Sequence, residues 1–156
     1  MTKYKLTESG VINNETGAHI PLGHWMYHEY EKWVSLGNTA DPIYTLDEVK
    51  TKKKIEIERD RDEAIAQQVF VHNRYWQARP TDVDNLSQEI LTVQAGVPIS
   101  PVWRDANNDN MVLTNVSQLI EIAAAMKVQK LTAYQNSWIR KASVDAATTI
   151  EEVEAI

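Results

Sequence analysis

Hydrophobic positions fall at helical spacing in five stretches of the chain, and between them lie short apolar runs closed by turn residues. The first 44 residues are the least helical. Tyr4-Lys5-Leu6 and Val11-Ile12 read as short strands joined by a turn at Glu8-Ser9-Gly10, with Asn13-Asn14-Glu15-Thr16-Gly17 closing the second. Such a hairpin is marginal unless it packs on something. Pro21 keeps the next helix from running back through it. From about Gly23 to Leu36 the segment has a helical period: Trp25, Glu29, Trp33 and Leu36 lie four, four and three apart, and Met26, Tyr30, Trp33 and Val34 form an overlapping set. Gly37-Asn38 stops that helix, and residues 38–42 read as a linker.

A second region runs from Thr45 to the last residue. Thr45 and Glu48 stand at capping-box spacing. Thirteen of the seventeen residues from 47 to 63 are charged, so the predicted helix has only a narrow apolar stripe, carried by Leu46, Val49, Ile55, Ile57, Ala64 and Ile65. It either lies on another chain or docks by its C-terminal half alone. VFVHNRYW then predicts a hairpin turning at His72-Asn73, closed by Pro80. Thr81-Asp82 opens a helix to about Ala95, with Val83, Leu86, Ile90 and Val93 on one face, and Gly96 ends it. Val102-Trp103-Arg104 and Met111-Val112-Leu113 flank a polar loop, predicting another hairpin. Asn115 and Gln118 suggest a cap for the longest pattern. Its face runs through Leu119, Ile122, Ala123, Met126, Lys130, Ala133 and Tyr134, and then Leu131, Trp138 and Ile139, as far as Arg140-Lys141. Thr148 and Glu151 suggest a last capped helix with Val153 inward.

This pattern predicts an α+β protein, mostly helical with short β-hairpins and a long charged central helix. Two regions are expected, 1–44 and 45–156. The 156 residues fit one domain or two small ones. Composition then removes several chemistries. With no Cys there is no disulfide, thiolate nucleophile or thiolate metal site. The formal charge of -6 argues against nucleic acid, because the one basic cluster, Lys50 and Lys52 to Lys54, is ringed by acids. No apolar run approaches about 18 residues, so no membrane span is expected, and MTKYKLTESG lacks the apolar core of a signal peptide.

Candidate sites were weighed against plainer readings. His24 and His28 are four apart, a spacing that suits a metal, but the Glu of a zinc-protease motif is replaced by Trp25, and surface or packed histidines are the better reading. Asp105, Asn107 and Asp109 have the opening spacing of a calcium loop. Asn110 stands where its glycine belongs and Val116 where its bidentate acid belongs, so turn formation explains them. Carboxylate pairs such as Asp82/Asp84 and Glu151/Glu152 read as caps and solvated faces. No metal, cofactor or catalytic residue is therefore assigned. The aromatic residues remain: five Trp and six Tyr against one Phe. Trp25, Tyr27, Tyr30 and Trp33 crowd one short helix, which is what a protein–protein contact needs. The alternative is that this helix packs on the second domain of the same chain, and the two readings are compatible.

Several N-terminal pieces resemble the signature of small tailed-bacteriophage proteins encoded beside tail-fibre genes. They are Gly10-Val11-Ile12, the run from Thr16 to Pro21, Tyr30 to Trp33, and Leu36 to Thr39 with Asp41-Pro42. The rest resembles an uncharacterised domain that recurs in phage tail and tail-fibre-associated proteins. Its pattern is matched at Ile57, Arg59, Arg61 and Ala64, at Tyr75-Trp76-Gln77, at Asp84-Asn85-Leu86, and at Gly96. It continues at Trp103-Arg104-Asp105, Val112-Leu113-Thr114, Leu119, Ile139 to Ala142, Ala147-Thr148 and Glu151-Glu152-Val153. One departure is His72-Asn73, where that domain often carries Gly with an aromatic residue. The resemblance implies no catalysis and a role in building or completing a phage tail. The protein would act as a fibre-assembly chaperone in the host cytoplasm or, alternatively, as a component of the virion tail. The implied partner is a tail-fibre or other tail protein, with a homo-oligomer as a further option.

Overall fold

The computed structural model describes residues 2–156. The protein is α+β, as the periodicity predicts, with short antiparallel strand pairs among helices. It divides into two compact units, one up to Val49 and one from Lys50 onward.

In the first unit, β1 (Tyr4–Thr7), β2 (Gly10–Asn13) and β3 (His19–Pro21) form an antiparallel sheet in that order. The expected hairpin thus gains a third strand, which pairs Val11 with Ile20 and Ile12 with His19. Leu6, Val11 and Ile20 stand side by side across the sheet, and with Tyr4 they point to one face. Tyr4, Val11 and Ile20 are buried there. Gly10 is required where β2 meets β3, because a Cβ on it would lie 2.1 Å from the Ile20 carbonyl oxygen. The expected linker at residues 38–42 is instead held at Asp41: its N–H donates to Tyr4 O (2.8 Å) and its carbonyl accepts from Leu6 N–H (2.9 Å). This satisfies the outer edge of β1. Helix α1 (Tyr27–Ser35) lies against the buried face of the sheet and starts later than the spacing predicts.

Helix α2 (Leu46–Ala66) begins at the predicted Thr45–Glu48 box: the Glu48 carboxylate accepts from Thr45 N–H at 2.7 Å, and Thr45 Oγ1 accepts from Glu48 N–H at 3.3 Å. The second unit then contains β4 (Val69–Val71), β5 (Arg74–Trp76), α3 (Pro80–Gln94), β6 (Val102–Arg104), β7 (Asn110–Val112), α4 (Ser117–Ala146) and α5 (Ile150–Glu154). The β4–β5 hairpin turns through His72 and Asn73 with φ of 55° and 56°. Two successive left-handed residues give the turn whose twist matches the strands, so the departure from glycine leaves the hairpin intact. Pro80, expected to close the hairpin, is the first residue of α3, where its missing N–H costs nothing.

Helix α4 organises this unit. Leu119, Ile122 and Met126 join Val69, Trp76, Ala78, Leu86 and Leu113 in one core. Beyond Met126 its buried line continues through Ala133, Ser137 and Val144. Leu131, Trp138 and Ile139, expected on that line, are 51%, 59% and 66% exposed. The helix also passes Arg140-Lys141 and reaches Ala146. Of the expected Asn115–Gln118 box only the Gln118 half forms: its Oε1 accepts from Asn115 N–H at 3.4 Å and from Thr114 N–H at 2.9 Å. The last cap falls one residue later than the sequence suggests, at Thr149 and Glu152.

The part of α2 from Lys50 onward runs antiparallel to α4 along most of its length, not by its C-terminal half alone. Lys54 pairs with Asp145, Glu58 with Lys141 and Asp60 with Arg140, and Gln129 Nε2 donates to Ile65 O at 3.0 Å. Ile57 is fully buried, the one buried residue of α2. It shares with Ala133 and Ser137 the lining of a cavity of about 340 Å³ between the two helices. Hydrogen bonds from Lys141, Arg140 and Lys54 hold the carboxyls of Glu58, Asp60 and Asp145 below the usual carboxylate range.

Candidate functional site

The first unit contains all four of the aromatic residues expected to bind a partner, and its geometry separates them. Tyr4, rising from β1, is the hub. Its ring meets Tyr30 edge-on at 5.3 Å between centroids and Trp33 edge-on at 5.3 Å. Tyr27 adds to the cluster through Tyr30 at 5.2 Å. Tyr30 and Trp33 lie one turn apart on α1, so both rings reach the same side of the sheet. Tyr27, Tyr30 and Trp33 are half-buried against the cluster of Tyr4, Val11 and Ile20. Burial first, and then the neighbouring Tyr27 hydroxyl, raises the Tyr30 phenol above its ordinary range.

Trp25 is different. It precedes α1, lies 70% exposed, and among the described residues its one ring neighbour is His24 at 5.7 Å. Leu22 at 72% and Leu36 at 81% are exposed in the same unit, and Val34 is 40% exposed. The sequence reading missed Leu22 as a surface residue. The turn that follows Pro21 is its signal, since an apolar side chain in a turn between a strand and a helix has no element of its own to pack under. Three of the four predicted aromatics therefore pack into the unit while remaining half-exposed, and Trp25 is exposed.

The histidines considered for a metal are occupied otherwise. His28 Nδ1 lies 2.9 Å from Glu31 Oε2, and His24 Nδ1 accepts from Met26 N–H at 3.3 Å. Among the described residues no three His, Cys, Asp or Glu side chains are grouped to hold a metal ion. The Asp105 loop is likewise self-contained. Asp105 Oδ1 accepts from the N–H groups of Asn107 (2.9 Å) and Asp109 (3.0 Å), and Oδ2 accepts from Arg74 at 2.6 Å. Burial alone would raise this carboxyl, but these donors outweigh it and hold the pKa low. None of the described helices is long and apolar enough to cross a membrane.

Residues 48–156 match the family described as Domain of unknown function (DUF4376). No curated protein and no solved structure matches the chain.

Proposed function

The chain belongs to the DUF4376 family, a domain of unknown function, and we propose, on the sequence resemblance and the exposed apolar side chains of the first unit, that it is a non-enzymatic accessory protein of bacteriophage tail fibres, assisting the folding, assembly or attachment of fibre subunits. One observation carries the binding part of this reading. The first unit already has a packed centre at Tyr4, Val11 and Ile20, yet it leaves Leu22, Trp25 and Leu36 more than two-thirds exposed. Apolar side chains left outside a folded unit have little stabilising use until a partner covers them. The resemblance of the N-terminal pieces to proteins encoded beside tail-fibre genes supports the choice of partner.

The contact then draws on the exposed Trp25 before α1 and on the exposed Leu22 and Leu36 of the same unit, while Tyr27, Tyr30 and Trp33 hold the platform in shape. The test is co-expression with the neighbouring fibre protein, followed by a pull-down. Trp25→Ala and Leu36→Ser should lower recovery of the fibre protein while the chain stays folded. Undiminished recovery with the folded double variant overturns the assignment. The second reading, a permanent virion component, separates from the first by mass spectrometry of purified particles. A chaperone is absent from them, and a structural protein is present at fixed copy number.

A further inference from the structure

In the second unit, an open cleft of about 560 Å³ lies between the β4–β5 hairpin and the loop joining β6 to β7. Two contacts tie its walls together: the Arg74–Asp105 pair, in which the Asp105 side chain is 3% exposed, and the Ala106 N–H bonded to Tyr75 O at 2.8 Å. One wall carries the cross-strand pair Phe70 and Tyr75, with ring centroids 4.9 Å apart, 57% and 51% exposed. The polar groups at its rim are His72, whose Nε2 lies 3.3 Å from Glu121 Oε2, and the three side chains of Asn73, Asn107 and Asp109. Among the described residues, the side chains of these three make no hydrogen bond or ion pair, so their donors and acceptors face solvent.

The chemistry of this lining selects among ligand classes. Arg74 is neutralised by Asp105, and Asp109 adds a further negative charge, so an anion is repelled. A hard divalent cation needs six or more oxygen ligands, but both Asp105 oxygens already accept protein hydrogens. A purely apolar ligand would leave the two amides and Asp109 desolvated without partners. A neutral polyhydroxylated ring meets all three conditions. Its C–H side lies on an aromatic face, while amide and carboxylate groups take neighbouring hydroxyls in pairs. The volume falls in the range of small-molecule sites. We propose that this cleft binds a neutral saccharide, with Tyr75 as the stacking platform and Asn73, Asn107 and Asp109 as the hydroxyl partners. The cleft is built from residues of the second unit and the Trp25 surface from residues of the first, so the proposal stands whether or not a fibre protein binds at Trp25.

The test applies the labelled full chain to an array of immobilised neutral hexose and N-acetylhexosamine oligosaccharides, with sialylated and sulfated glycans alongside. Binding to a subset of the neutral glycans is expected. Tyr75→Ala and Asp109→Ala should each weaken it by about tenfold or more while keeping the parent's cooperative thermal unfolding. Asp109 is an exposed loop residue whose side chain makes no hydrogen bond or ion pair among the described residues, so its variant decides the matter if Tyr75→Ala fails to fold. No binding to any neutral glycan, binding confined to the acidic glycans, or undiminished binding by folded Asp109→Ala overturns the proposal.

Discussion

Replacing Ile57 with alanine tests how a helix with so little apolar surface is held to its neighbour. Ile57 is the single buried residue of α2 and is fully buried, facing the small side chains of Ala133 and Ser137. The change removes three carbon groups, which at about 0.8 kcal/mol per buried methylene is about 2.4 kcal/mol of transfer free energy. A cavity contribution adds to this, and measured isoleucine-to-alanine changes span about 2–5 kcal/mol. The existing cavity beside Ile57 gives the site room to relax, which places the expectation near 3 kcal/mol. Ion pairs along the helix do not replace that loss, because exposed pairs are weak and salt-screened. Urea unfolding followed by circular dichroism measures the effect as a shift of midpoint at constant slope. Ile55→Ala is the internal control: Ile55 is 63% exposed two residues away, and its change should stay within about 0.5 kcal/mol. A loss below about 1 kcal/mol for Ile57→Ala, or equal losses for the two variants, would refute the idea that α2 docks through this one side chain.

Acid should destabilise the second unit in a defined direction. Glu58, Asp60, Asp105 and Asp145 all have carboxyl pKa values lowered in the fold. Their stabilisation is complete above the unfolded carboxylate values, near pH 4, and is lost as pH falls through the lowered folded values. The melting temperature should therefore hold from about pH 5 to 7 and drop below about pH 4; a flat profile down to pH 3 contradicts this. Asn73→Gly should raise stability by about 0.5–1 kcal/mol by relieving a left-handed residue in the β4–β5 turn, and a lowered melting temperature would show the turn is not strained there. Gly10→Ala would drive a Cβ to 2.1 Å from Ile20 O and 2.9 Å from Pro21 Cα. Hydrogen exchange should show the amides of β1 to β3 losing protection, and retained protection would disprove the close approach.

Elements with strong local signals were legible before any coordinates. The β4–β5 hairpin, the Thr45 cap and the body of α3 follow from turn chemistry and spacing. What escaped was decided by neighbours distant in sequence. The strand His19–Pro21 is three residues long and ends in proline, so only pairing with β2 makes it a strand. Asp41 reads as a linker because nothing local reveals that the edge of β1 lacks partners. On α4 the sequence favours large side chains, so Leu131, Trp138 and Ile139 were placed inward. The buried line keeps Ala133, which the spacing already places inward, and continues to Ser137 beside Ile57 of α2, where Ser137 Oγ is left without a partner among the described residues. A hydrophobicity pattern cannot see a buried serine. In the candidate site, aromatic crowding marks α1, and the sequence does not show that Tyr30 and Trp33 pack on Tyr4 while staying half-exposed, or that Trp25 is the most exposed of the four.

The placement of the five tryptophans has an optical consequence. Trp25 and Trp138 sit in water, one in each unit, whereas Trp76 is 2% exposed with its indole N–H bonded to Val71 O at 3.0 Å. A soluble quencher such as iodide will reach the first two and miss the third. With Trp138→Phe in place, Trp25 is the most exposed indole left, ahead of the half-buried Trp33 and Trp103, and so gives the largest single quenchable contribution, within the unit assigned to a partner. Loss of that quenching on mixing then reports coverage of Trp25 directly, while the blue-shifted light of Trp76 certifies in the same cuvette that the second unit is still folded.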